Sequence, residues 1–274
     1  VYSRDTLTTM SNVTISGYSG DTTDITSFSG AGSGRWSETG GGAMRIRDAD
    51  YTSNSNYTSQ MQVSDADNVL YNVTVENCCR GIRIQDCINI YIKNCTVNNI
   101  SDNGIYFASG TYKSTGGCIN STIDACTVTN VGQTAYMNIG GSNNTIKNST
   151  MDNSRGAAFA IYNTNGSITF LGCTATNANT SETTTPWGGN TDDYNGAACG
   201  MSVETTDTSA DVLIQSCEFI SGSDSVFYKN NSAGTLTSRY NKIHVSAFSG
   251  GILDTLSESI TQDPQYSVTD RTEL

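Results

Sequence analysis

The residues best suited to chemistry gather in one stretch, Asn177 to Ala198, which reads N-A-N-T-S-E-T-T-T-P-W-G-G-N-T-D-D-Y-N-G-A-A. It places the carboxylate pair Asp192 and Asp193 beside Trp187 and Tyr194, and Asp224 follows in Gly222-Ser223-Asp224. Two carboxylates flanking a glycosidic bond are the minimum apparatus for hydrolysing it, so these three acids are the candidate catalytic groups. Asp192, Asp193 and Asp207 are also a candidate Ca²⁺ set, because that ion takes several oxygen ligands. No D-x-D-x-D-G loop occurs, however, and solvated acids are the simpler reading. The single histidine, His244, is the candidate base for removing a proton alpha to a carboxylate. Arg80, Arg83 and Arg155 would have to neutralise that acid but form no cluster in sequence, and an exposed turn histidine is the simpler reading. Trp187, Tyr194, Tyr106 and Tyr112 offer rings that can stack on sugars, against the plainer reading of scattered exposed aromatics.

The elements that position these groups are written in the cysteines. Cys87 to Cys95 reads C-I-N-I-Y-I-K-N-C, and Cys118 to Cys126 reads C-I-N-S-T-I-D-A-C, one unit written twice. Anchoring on the second cysteine and sliding along the chain gives Val73, Cys95, Cys126, Ser149, Cys173, Cys217 and Asn241. The spacings are 22, 31, 23, 24, 44 and 24, a base period of 22–24 residues with two insertions. The first insertion runs from Ser109 to Cys118 and the second from about Asn177 to Ala198. Around each anchor stand three runs of alternating apolar residues, such as Tyr91-Ile92, Cys95-Thr96-Val97 and Gly104-Ile105-Tyr106-Phe107. Period-2 runs this short, separated by Asn/Ser/Gly turns, predict strands with one buried face, and no helical periodicity of useful length occurs.

Three strands per 22–24 residues, repeated, predict an all-β solenoid with parallel pairing between coils. Equivalent side chains then stack: Cys95, Cys126, Cys173 and Cys217 in one ladder, interrupted by Ser149, and Cys87 with Cys118 in another. Asn94 and Asn148 are expected to form a turn ladder bonded to backbone groups left open by the bend. Arg83, Tyr106, Ala160 and Ser202 fall at the outward position of the third strand and are expected to form a surface stripe. The predicted organisation is irregular N-terminal coils or a cap over 1–65, the solenoid over 66–255, and a C-terminal tail or cap over 256–274.

The repeat N-x-x-I-x-N-C/S-T-I-x-N followed by G-I-x-I, read best at Asn144–Ile161, resembles that of the pectate-lyase-like superfamily. The resemblance covers roughly residues 66–255 and implies a single-stranded right-handed parallel β-helix. That superfamily holds lyases, hydrolases, epimerases, tailspikes and adhesins, so the fold alone does not choose an activity. Asn190-Thr191-Asp192 is similar to the N-T-D of its pectin-hydrolysing members, and Gly222-Ser223-Asp224 to their G-D-D. The second match has one acid where that family has two, and the family's Gly-His-Gly and Arg-Ile-Lys are missing.

Composition narrows the partners. The 274 residues carry 14 basic and 26 acidic side chains, a net charge of −12, which argues against nucleic acid. A polyanionic glycan would be repelled without a bridging cation. No apolar run of transmembrane length is present, and no signal-peptide pattern stands at Val1, so a processed product is expected. Nine cysteines, an odd number with no C-x-x-C pair and one histidine, exclude a zinc reading. Stacked cysteines point their Cβ atoms in parallel, which disfavours disulfides, so buried thiols are expected. Sequons at Asn56, Asn94, Asn120, Asn148 and Asn179 are ascribed to an Asn/Thr-rich composition.

The expectation is an extracellular, cell-surface or virion-surface module that recognises a polysaccharide or surface glycan without catalysis. No cofactor beyond the candidate Ca²⁺ is expected. The alternatives are a polysaccharide lyase, hydrolase or epimerase on the same fold, and a filament subunit. Self-association as a trimer or a filament is expected, and membrane insertion is not.

Overall fold

The computed structural model describes residues 2–3, 9–16, 44–47, 61–62, 69–78, 81–85, 87–100, 103–108, 117–132, 134–154, 157–162, 164, 166–178, 210–221, 234–245, 260–262 and 267–270. These form strands, turns and bends, paired in parallel throughout. The first and second sheets hold nine strands each and the third holds six. One complete coil is Tyr91–Lys93 in the first sheet, Thr96–Ile100 in the second and Ile105–Ala108 in the third. Each pairs with its equivalent a coil away, as in Ile92 with Ile123, Val97 with Val128 and Tyr106 with Met137. A strand-to-parallel-strand crossover is right-handed almost without exception, and the chain winds as a right-handed parallel β-solenoid. The sheets run past 66–255 at both ends: Thr9–Ser11 pairs with Val69–Tyr71, and Ser267–Asp270 pairs with Lys242–Val245.

The corner between the first and second sheets explains the anchor. The residue before each anchor takes a left-handed backbone, with φ between 50° and 62°, at Asn12, Asn72, Asn94, Ala125, Asn148, Gly172, Ser216 and Tyr240. Asparagine tolerates that region best among residues with a Cβ, which is why it recurs here. The bend leaves the anchor's own N–H turned along the solenoid axis, and the anchor side chain of the next coil accepts it. Cys95 N donates to Cys126 Sγ at 3.4 Å, Cys126 N to Ser149 Oγ at 3.1 Å, Cys173 N to Cys217 Sγ at 3.4 Å and Cys217 N to Asn241 Oδ1 at 2.8 Å. Cysteine, serine and asparagine share this position because each presents an acceptor. The same thiols donate back to the carbonyl two residues earlier, Cys95 to Lys93 O at 3.4 Å and Cys217 to Gln215 O at 3.3 Å, and Ser149 Oγ does so to Lys147 O at 2.8 Å. Backbone satisfaction therefore falls to the anchors rather than to the Asn94 and Asn148 side chains. Asn148 Nδ2 instead donates to Asp124 Oδ1 at 2.9 Å.

Inside the coil, stacked columns of apolar residues make the core. Leu70, Ile92, Ile123, Ile146, Phe170 and Ile214 line the first sheet, and Val75, Val97, Val128, Met151, Ala175 and Phe219 line the second, all buried. Where Phe170 enlarges one wall, Ala175 follows on the next, so the coil keeps its cross-section. Phe107, Tyr136, Phe159 and Phe170 form an aromatic stack with centroids 4.8–6.2 Å apart. Seven described cysteines, at 78, 87, 95, 118, 126, 173 and 217, are buried. The column Gly81, Gly104, Ala135, Ala158 opens the third sheet. A Cβ on Gly81 would strike the Gly104 carbonyl and the Val97 side chain, so only the smallest residues fit.

Candidate functional site

Most of the sequence candidates, Trp187, Asp192, Asp193, Tyr194, Tyr112 and Asp224, lie outside the described residues, as does Ser202. Tyr106 is described, and the expectation of an exposed ring there is corrected: it is 3% exposed. The whole expected stripe is buried where it is described. Arg83 is 9% exposed and Ala160 1%, with Met137 and Ile139 equally enclosed. Tyr106, Met137, Ile139 and Ala160 form a second apolar cluster on the outer side of the third sheet. Period-2 alternation distinguishes the two faces of a strand but not which of them another part of the molecule encloses. The predicted turn at His244 is a strand, Lys242–Val245, pairing with Glu218–Ser221 and Ser267–Asp270.

The structure brings together three other groups of polar residues. The largest is the outward face of the second sheet. Thr14, Thr74, Thr96, Thr127, Thr150 and Thr174 stand in register, one per coil. Beside them runs a second column, Ser16, Glu76, Asn98, Thr129, Asp152 and Thr176. A third column, Asn77, Asn99, Asn130, Asn153 and Asn177, has a left-handed backbone, with φ between 50° and 55°. Each of these asparagines makes a one-residue left-handed bend, repeated in register from coil to coil, that lets both Val97 and Ile100, or Val128 and Val131, face the core.

Side-chain hydrogen bonds run along these columns. Asn99 Nδ2 donates to Asn77 Oδ1 at 2.6 Å, Asn153 Nδ2 to Asn130 Oδ1 at 2.7 Å, and Asn130 Nδ2 to Asn98 Oδ1 at 3.0 Å. Thr129 Oγ1 donates to Asn98 Oδ1 at 2.8 Å, and Thr176 Oγ1 to Asp152 Oδ1 at 2.6 Å. These bonds hold the amides and hydroxyls in one orientation. Each primary amide has a second N–H beyond the one used in the ladder. The Asn column was legible as an asparagine four residues past the anchor in five coils, a signal the cysteine spacing overshadowed.

A second group sits on the outward face of the first sheet. Tyr91 Oη donates to Asp124 Oδ2 at 2.7 Å, Asn148 Nδ2 to Asp124 Oδ1 at 2.9 Å, and Lys147 Nζ lies 3.5 Å from Asp124 Oδ2. The bond to Asp124, with burial, pushes the Tyr91 phenol up to about 12. Burial acts to raise the Asp124 carboxyl, but the bonds from Tyr91 and Asn148 and the charge of Lys147 outweigh it and hold it below the usual range. This is a structural tie across three coils. The third group is the Arg83–Tyr106 pair on the third sheet, with the guanidinium carbon 5.2 Å from the ring centroid.

The second-sheet face presents donors and acceptors in a regular lattice, one row per coil at ~4.8 Å. Of the fifteen positions from Thr74 to Asn177 in its three columns, two are charged, Glu76 and Asp152. A family model described as right handed beta helix region matches residues 114–263, more than half of the chain. No curated protein and no solved structure matches it.

Proposed function

The chain belongs to the right-handed β-helix family, and from that premise we propose that it is a recognition module binding a neutral polysaccharide along the second sheet, without catalysis. The observation that supports this reading is the three-column array of threonine, asparagine and other polar groups, repeated coil by coil and held by its own hydrogen bonds. Exposed hydroxyl and amide contacts each contribute little against water. A ligand that repeats along the array gains from engaging several rows at once, so affinity rises with glycan length. The module acts outside the cell or on a virion surface and self-associates as a trimer or filament, which sedimentation would register.

The test is incubation with a panel of neutral and acidic polysaccharides, with and without Ca²⁺, following both retention and new chain ends. Retention of neutral chains with no new ends is expected. New ends that disappear on Asp192→Asn or Asp193→Asn would replace this reading with an enzyme whose site lies in the long insertion.

A further inference from the structure

The corner anchors run Val73, Cys95, Cys126, Ser149, Cys173, Cys217 and Asn241, and their types follow the insertions. Cysteine anchors stand on both neighbouring coils only where an insertion lies between them. Cys95 and Cys126 are 31 residues apart across the first insertion, and Cys173 and Cys217 are 44 apart across the second. Each step of 22–24 residues instead joins one cysteine to a valine, a serine or an asparagine. The residues after the anchors are in register, Thr96 with Thr127 and Thr174 with Glu218. The two cysteines of each pair therefore stand ~4.8 Å apart at Cα, within the separation that a disulfide spans. Cys126 Sγ lies 3.4 Å from Cys95 N, and Cys217 Sγ 3.4 Å from Cys173 N, so the later sulfur leans towards the earlier coil. A hydrogen bond between the two sulfurs lowers the thiol pKa of Cys95 and raises that of Cys126, and Cys173 and Cys217 behave likewise.

An insertion lengthens the loop that must close before the next coil can pair, which raises the entropic cost of joining those two coils. A covalent link across the same junction offsets this by restraining the unfolded chain. We propose that Cys95 with Cys126, and Cys173 with Cys217, are redox staples, pairs that oxidise to disulfides and tie together the coils flanking each insertion. Parallel Cβ bonds disfavour such a link, and the lean of the later sulfur towards the earlier coil works against that. Closing the first pair takes Cys95 Sγ from weak contacts with Leu70 O at 3.5 Å and Lys93 O at 3.4 Å. Closing the second takes Cys173 Sγ from Ile146 O at 3.5 Å and Leu171 O at 3.7 Å. The oxidant is a low-molecular-weight disulfide. The Cys95 thiolate attacks one of its sulfurs and expels a thiolate, and the Cys126 thiolate then attacks the Cys95 sulfur of the mixed disulfide and expels the second. Two protein thiols are oxidised, and one small disulfide is reduced to two thiols that take up the two protons. All four cysteines are 1–2% exposed, so the exchange takes place before the coils close over them, and burial then shields the link from reductant. The staples stand or fall independently of the polysaccharide face.

The test folds the full chain from denaturant in a buffer of reduced and oxidised glutathione and, in parallel, in dithiothreitol. Free thiols are then alkylated, and unreduced digests are read by mass spectrometry. Linked Cys95–Cys126 and Cys173–Cys217 peptides, each short of two hydrogens, are expected after oxidising folding. The melting temperature of that sample is expected several degrees above that of the dithiothreitol sample. Cys126→Ser and Cys217→Ser are each expected to lose one link and part of that gain while still folding. Ser149 is the precedent, filling the same corner and accepting the Cys126 N–H at 3.1 Å. Should either variant not fold, Cys95→Ser or Cys173→Ser takes its place with the same expected loss. Alkylation of both members of a pair after oxidising folding, or links to other cysteines in their place, overturns the proposal for that pair. Links that leave the melting temperature equal to that of the dithiothreitol sample overturn the stapling role.

Discussion

The backbone N–H of Cys217 donates to the side-chain Oδ1 of Asn241, one coil further on, at 2.8 Å. Asn241 in turn donates through Nδ2 to Ile214 O at 3.0 Å and to Ser238 Oγ at 2.8 Å, and it is 1% exposed. One side chain thus closes three backbone and side-chain groups that the corner leaves open. Asn241→Ala is expected to lower stability by about 1–3 kcal/mol, because it strands a buried donor and a buried acceptor. Asn241→Ser keeps an acceptor and is expected to cost less. Urea unfolding of both variants checks the order.

Tyr136 presents the opposite case. It is fully buried, packed among Phe107, Phe159 and Phe170, and its hydroxyl has no hydrogen-bond partner. Burial alone explains most of the strong upward shift of its phenol. Tyr136→Phe keeps the ring and removes the unmet group, so stability is expected to stay level or rise by about 1 kcal/mol. A loss of that size in the melting curve would mean the hydroxyl is satisfied.

The Tyr91–Asp124 pair sets a pH window. A carboxyl held below its unfolded value contributes stability above the usual carboxylate range, and that contribution is lost as pH falls through its folded pKa. A phenol raised to about 12 contributes stability that is full below its unfolded value of about 10 and is lost as pH rises through 12. Stability is therefore expected to plateau between these limits. Tyr91→Phe is expected to remove the alkaline arm assigned to this residue, with tyrosinate absorbance against pH as the measurement.

The left-handed asparagines of the second sheet separate two effects. Asn153 has φ of 55° and donates to Asn130. Asn153→Ala is expected to cost about 1–2 kcal/mol, because a Cβ without a polar side chain is strained there. Asn153→Gly relieves the backbone and loses the side-chain bond, so it is expected to cost less. Reversal of that order in chemical denaturation would place the ladder bond above the backbone conformation.

The repeat was legible because the anchors of successive coils, after the apolar Val73, are small residues whose side chains accept a hydrogen bond from the coil before. Cysteine, serine and asparagine therefore marked every corner from Cys95 to Asn241, at 23–24-residue spacing except across the two insertions. Reading those cysteines as apolar fillers caught their burial and missed their role as acceptors, since the N–H they serve belongs to a neighbouring coil. The same grammar accounts for the sequons at Asn94, Asn120 and Asn148: a left-handed asparagine, an inward residue, then the threonine that opens a strand. The face that carries the proposed function was harder to see, because threonine and asparagine are common throughout and only register lines them up. Tyr106 was misplaced because alternation along one strand does not report what encloses its outer face.

The measurement that tests the central claim most directly is affinity electrophoresis in neutral polysaccharides, comparing the wild type with a Thr96→Val, Thr127→Val, Thr150→Val triple variant. Valine keeps the β-branched shape and removes three hydroxyls from adjacent rungs. The account predicts a wild type retarded by a neutral glycan, increasingly so with glycan length, and a folded variant whose binding is weakened tenfold or more. Equal retardation of the two proteins, or none of the wild type in any neutral glycan, would contradict it.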